Sequence, residues 1–222
     1  MNPSPPRPAA DDVTSRPAPL PRPTVVPYIA RWSAEQSLTP DVIATARGLA
    51  YPDETPYDRD HGGALWARTE LKPGHGKPDF GGVHPQRQRR AMQRLLCQVC
   101  GHRADRTQGG VLWLVEDHRG DWKDWPEGLV TAHPPVCLPC ARLAVVQCHH
   151  LLHVPWMALR VRGSAVEGVY GRPYHLQGHR LVRGEKAAVF YDHPAIRWIV
   201  ASQLTRTLRG CTVVDLDSAP AP

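Results

Sequence analysis

"PAIRWIVASQLTRTLR", residues 194–209, carries its apolar side chains at helical spacing. Ile196, Ile199, Val200, Leu204 and Leu208 recur at separations of three to four residues, and Gly210 follows as a stop signal. The pattern predicts a helix. Outward from it, "MALRVRG" (157–163) and "AVEGVYG" (165–171) read as two strands around a turn at Arg162–Ser164. "AAVFY" (187–191) reads as a further strand. "CTVVDL" (211–216) closes the chain as a strand buried through Val213, Val214 and Leu216.

Towards the front, "TPDVIATARGLAY" (39–51) predicts a short helix. Thr39 suits the N-cap, Pro40 the first helical position, and Val42, Ile43, Ala46 and Leu49 an apolar stripe. "ALWARTEL" (64–71) alternates as a strand does, and "QRQRRAMQRLL" (86–96) predicts a helix. Its Met92, Leu95 and Leu96 make one side; Arg87, Arg90 and Arg94 recur on another. Residues 1–24, "MNPSPPRPAADDVTSRPAPLPRPT", have too few large apolar side chains to offset chain entropy, and are expected to be disordered. The expected class is α+β, with short antiparallel strands and a C-terminal helix. The segments are the tail (1–24), an irregular α+β part (25–85), a metal-binding part (86–153) and a strand–helix–strand part (154–217).

Four of the six cysteines form two C-x-x-C pairs, Cys97/Cys100 and Cys137/Cys140, separated by residues 101–136. Tetrahedral zinc takes four soft thiolates, and C-x-x-C delivers two from one tight turn. In a reducing compartment this pattern favours metal over disulfides. The first pair, followed by Gly101, predicts a knuckle. The second predicts a helix start, where free N–H groups and the dipole favour thiolate. One structural zinc ion is the expected cofactor.

"PPVCLPCARLAVVQCHHLLH" (134–153) offers further donors. Cys148 lies about 12 Å along a continuous helix from Cys140, at ~1.5 Å per residue, and cannot share its ion. It is expected to act as a small buried hydrophobe. His149 and His153, at an i, i+4 spacing, could pair on a second metal; a solvated helix end is the plainer reading of both.

Knuckle, hairpin, then a helix bearing the last two ligands resembles a treble-clef zinc finger over roughly residues 90–153. "LWLVEDH" (112–118) and "GLVTAHPPVCLPCA" (128–141) further resemble HNH-type endonucleases. That resemblance makes Asp117 a metal ligand, His118 the general base and Gly128–Ala132 the leader before the last pair. The chain departs from that family's pattern. Its single asparagine is Asn2, and the position after the last cysteine is Ala141. The residues therefore favour a polar turn at Asp117–His118, on an HNH-like scaffold without the chemistry. Beyond the finger, "VPYIARWSAE", "VHPQRQRRAMQRLLCQVCG", "VTAHPPVCLPCARLA", "AIRWIVASQLT" and "GCTVVDLD" resemble a group of proteins from GC-rich actinobacteria over residues 25–217. This second resemblance implies no activity.

The formal net charge is +6, carried almost wholly by arginine. Guanidinium groups suit phosphate, so Arg87, Arg89, Arg90, Arg94, Arg103 and Arg106 are the nucleic-acid-binding candidates. DNA or RNA is the first expected partner. Trp113, Trp122, Trp125 and Trp156 make a protein partner the alternative, as exposed anchors of an adaptor. No phosphate loop and no nucleophile elbow is present, so no small-molecule cofactor is expected. No apolar run reaches the ~18 residues of a membrane span, and a cytoplasmic location is the default.

Overall fold

The computed structural model describes residues 23–217. The expected Pro-rich tail lies outside the described residues except for its end. There Thr24 is anchored, with both its amide and its hydroxyl donating to Gln147 Oε1 at 2.9 Å.

In chain order the first strands are β1 (Ala30–Trp32), β2 (Ile43–Thr45), β3 (Gly48–Ala50), β4 (Leu65–Trp66) and β5 (Pro78–Val83). Helix α1 (Pro85–Arg94) follows. Next come β6 (Arg106–Thr107), β7 (Gly110–Glu116) and β8 (Val130–Thr131), then helices α2 (Leu138–Gln147) and α3 (His149–His153). Strands β9 (Trp156–Gln177), β10 (Arg180–Arg183), β11 (Ala187–Phe190) and β12 (Ile199–Val214) complete the order. The main sheet runs β4-β12-β9-β7-β6, with β8 also on β12, and β10 and β11 also on β9. The composition is mixed α/β, with few helices around one multi-stranded sheet. The sheet draws strands from all three segments expected after the tail.

Its spine is the antiparallel pair β9–β12, registered from Ile199↔Pro173 to Val214↔Ala158. Residues 194–209 are thus not a helix. Pro194–Trp198 make a 3₁₀ turn, and a strand takes over at Ile199. The cause lies in the register, which slips between Ala201 and Gln203 and leaves Ser202 as an extra residue. Side chains alternate across a strand, so without the slip Ile199 and Leu204 would face opposite ways. The bulge returns both, with Ala201, to one side. All three enter a core cluster with Ala64, Trp66, Met92 and Val169. A bulged strand therefore spaces its apolar residues as a helix does, while Thr205, Thr207 and Thr212 add β-branched character.

Further expectations change as well. Residues 157–171 hold no turn, because β9 runs unbroken past Gly163, which pairs with Arg209. Val213, expected to be buried, is 54% exposed, whereas Leu216 is buried. The predicted helix at 39–51 is the hairpin β2–β3. Thr45 Oγ1 donates to the Gly48 carbonyl at 2.9 Å and accepts from the Arg47 amide at 3.1 Å. Gly48 sits at φ +117, where a side chain would meet the Arg197 backbone. This turn chemistry outweighs a weak helical stripe. Thr39 is no N-cap; its hydroxyl donates to the Arg68 carbonyl at 3.0 Å and accepts from the Arg68 amide at 2.9 Å. The strand expected over 64–71 contracts to β4, which pairs parallel to β12.

Helix α1 forms as predicted, with Pro85 in its first turn and an end at Leu95, whose φ is 52. Strand β7 is buried on both faces. Val111, Trp113 and Val115 join one cluster, Leu112 and Leu114 another.

The edge of β12 that faces away from β9 is closed piecemeal. Leu65 and Trp66 pair with Val200 and Ala201. At Leu204 the Gln88 side chain replaces a strand: its Oε1 accepts from the amide and its Nε2 donates to the carbonyl, both at 2.9 Å. Val130 and Thr131 pair with Thr207 and Arg206. The Glu127 carboxylate then accepts from the amides of Gly210 and Cys211. Among the described residues no helix is long and apolar enough to cross a membrane.

Candidate metal centre and arginine surface

The sulfurs of Cys97, Cys100, Cys137 and Cys140 all lie within 4.8 Å of one another. Each pair owes its position to local backbone structure. After α1 the Cys97 amide donates to the His102 carbonyl at 2.7 Å, and the Gly101 amide to the Cys97 carbonyl at 2.9 Å. This closes a knuckle, with Gly101 at φ +75. Leu96 bridges to Arg103 beneath it. Cys137 is the N-cap residue of α2, and Cys140 falls in the first turn. The halves are tied directly, since the Gln98 amide donates to the Pro135 carbonyl at 2.9 Å. Between them lies the hairpin β6–β7, so the expected order of knuckle, hairpin and helix is present.

Electrostatics explain what the cluster requires. Burial pushes the Cys97 thiol up to about 11. Cys140 is pushed far above its usual value, first by burial, then by its bond to Cys137 and the charge of the other sulfurs. For Cys100 burial acts upward too, but the His102 amide and the three neighbouring sulfurs outweigh it, and its thiol falls below the ordinary range. Gathering four thiolates is thus costly, and a divalent cation removes the cost. The donor set is the one tetrahedral zinc takes. The four cysteines form a site that could hold one zinc ion.

Among the described residues no other group of three or more His, Cys, Asp and Glu gathers this closely. The helix imagined through residue 153 breaks at Cys148, which ends α2 and caps α3. Cys148 is half-buried and outside the cluster. His149 and His153 lie on α3, both exposed, and belong to no such group. Their neighbour His150 instead meets Glu116, Nε2 to Oε1, at 2.7 Å.

Asp117 and His118 lie in the loop after β7, both half-buried. The Asp117 carboxylate is held by Arg119 at 2.6 Å, which lowers its pKa. His118 stands between two acids, its Nε2 3.5 Å from Glu116 and its Nδ1 3.3 Å from Asp121. Within the leader Gly128–Ala132, Val130 and Thr131 form β8 on β12.

The six candidate arginines divide. Arg87 is withdrawn from solvent, its two terminal nitrogens on Glu35 at 2.6 and 2.7 Å, with Ala30 O also at 2.6 Å. It cannot take a phosphate as expected, because its guanidinium is already spent on a buried acid. Arg89 is half-buried over the Trp66 ring, 4.5 Å from its centroid. Arg90, Arg94, Arg103 and Arg106 are exposed. Among the described residues none of these four is paired with a carboxylate. As for the tryptophans, Trp113 is fully buried, Trp125 and Trp156 pack on cores, and Trp122 is 39% exposed.

No family model, no curated protein and no solved structure matches this chain.

Sequence reading missed Glu35, the acid that removes Arg87 from the surface. It also missed Tyr28 and Trp32, which line a cleft beside α1. Nothing local marks them, since each acquires its role from a partner distant in the chain.

Proposed function

We propose that this chain is a zinc-stabilised, non-enzymatic nucleic-acid-binding protein of the reducing cytoplasm. Its metal-held part is read as a treble-clef finger on an HNH-like scaffold. The observation that carries this is the arginine row at the knuckle. Arg90 and Arg94 lie one turn apart on the exposed side of α1. Arg103 stands across from Leu96, and Arg106 begins β6. Four guanidinium groups without acid partners among the described residues, around one hydrogen-bonded turn, match a phosphate backbone. The Asp117–Arg119 pair supports binding over cleavage, because the carboxylate an HNH site would give to metal is occupied.

The test is binding against salt. Affinity for DNA or RNA is expected to fall steeply as salt rises, since each phosphate contact releases counterions. The double variant Arg90→Ala/Arg94→Ala is expected to bind about tenfold more weakly and to flatten the log–log salt slope by roughly two. A salt-independent affinity, or a variant with the parent slope, would sink the reading. Plasmid nicking with Mg²⁺ or Mn²⁺ that disappears in His118→Ala would overturn its non-enzymatic part.

A further inference from the structure

A cleft of about 470 Å³ opens between the segment before β1 and helix α1. Tyr28, Trp32 and Leu71 line it, and Arg90 stands at its rim. Its walls are held from behind. The amides of Tyr28 and Ile29 donate to the carbonyls of Val99 and Gln98 in the knuckle, at 2.8 and 3.3 Å. The Tyr28 ring lies against Gly101, where any side chain would collide with it. The Trp32 amide donates to Glu35 Oε2 at 2.9 Å, and Arg87 fixes that carboxylate. The knuckle thus positions one aromatic wall, and a buried ion pair positions the other.

We propose that this cleft takes an unpaired base of a single-stranded nucleic acid, stacked on Tyr28 and Trp32, with the adjoining phosphates on Arg90 and Arg94. The inference rests on the nucleic-acid reading above and deepens it. Aromatic faces beside a cationic track are what single strands bind, since every base has a π-face and every linkage a charge. Duplex bases are already stacked and cannot enter. A proline-rich peptide would also lie on aromatic rings. The choice between the two comes from charge: of the two arginines lining the cleft, Arg87 is held by Glu35, but Arg90 has no acid partner among the described residues, and the chain carries +6, which complements a polyanion and not a neutral peptide.

The experiment uses the zinc-loaded full chain, a labelled single-stranded oligothymidylate and a mixed-sequence duplex of equal length, read by anisotropy. Trp32→Ala is expected to weaken single-strand binding about tenfold and leave duplex binding unchanged, while Trp32→Phe keeps most of the affinity. Leu71→Glu, at a position 59% exposed, keeps the inference testable should Trp32→Ala fail to fold. It places a carboxylate in the cleft and is expected to weaken the same complex to a similar degree. If the parent protein binds neither probe, the nucleic-acid reading itself fails. If it binds the single strand with a steep salt slope but neither Trp32→Ala nor Leu71→Glu weakens it, the cleft assignment alone is overturned. Displacement of the oligonucleotide by a peptide of residues 1–24 at lower concentration than unlabelled oligothymidylate would overturn it as well.

Discussion

Cys97→Ser and Cys137→Ser are each expected to abolish metal binding and much of the fold's stability together. Structural zinc contributes on the order of 10 kcal/mol to small domains, comparable to the whole stability of an ordinary one. Here the sulfurs also belong to a core. Cys97 is fully buried with Leu112, Leu114, Val136, Leu138 and Ala158, and the other three pack on the same cluster. Losing one ligand therefore loosens β7, α2 and the C-terminal Leu216 at once. Other clusters, around Met92 and Leu204 and around Leu49 and Tyr51, do not touch the site. The loss should thus be partial, at least about 4 kcal/mol, or roughly 10 °C in Tm for a chain of this size. Because the four ligands act as a unit, the double variant should lose little more than either single one. Cys148→Ser, outside the cluster, should retain one zinc per chain. Metal analysis with thermal melts decides this: a Cys97→Ser protein holding one zinc at the parent Tm contradicts the assignment.

The second large effect belongs to Glu35. Its side chain is fully buried and its carboxylate takes two bonds from Arg87. Burial alone would raise its pKa. The Arg87 guanidinium, then the Trp32 amide, then the charges of His84 and Arg87 outweigh that and hold it at about 2, against an ordinary 4.5. The folded value lies below the unfolded one, so the stabilisation is complete above pH 4.5 and is lost as pH falls towards 2. Linkage puts it at about 3 kcal/mol. His84, buried beside the pair with Nε2 3.7 Å from Glu35, acts in the same direction. Burial lowers its pKa from 6.5, so protonating it costs more in the folded chain than in the unfolded one, and it too penalises acid. Glu35→Gln should cost roughly 3 kcal/mol at neutral pH and flatten the stability curve between pH 4.5 and 2. Zinc loss in acid is common to parent and variant, so their difference isolates the carboxylate. Parallel curves over that range would show that the ion pair contributes nothing. Arg87→Met should be the worse change, since it leaves a buried carboxylate alone.

What the sequence made legible follows from where each signal is stored. Helix α1 and each cysteine pair lie in one contiguous stretch, and periodicity or spacing suffices to read them. Strand β12 imitates a helical stripe because a single extra residue, Ser202, shifts its alternation. In its partner β9, Gly163 reads locally as a turn, although neighbours on both sides carry the strand through. Among the arginines, Arg87, Arg90 and Arg94 share one helical spacing. Only the acid 52 positions upstream of Arg87 separates the buried member from the exposed ones. That pairing is a property of the tertiary structure, and no window of sequence contains it.

The closed edge of β12 bears on how the protein behaves when its metal is removed. Most of the pieces that seal it lie in the segment the metal fastens. Gln88 is on the helix leading to Cys97, and Glu127 to Thr131 occupy the loop between the cysteine pairs. Chelation is expected to release that loop and bare the amides and carbonyls of β12 from Arg206 to Cys211, while Gln88, on the helix that packs through Met92, keeps Leu204 covered. An uncovered strand edge is a template for another chain. Metal-stripped protein should therefore self-associate edge to edge, with light scattering that grows with concentration, instead of dispersing as unfolded monomers. In this protein zinc would serve colloidal stability as well as the fold.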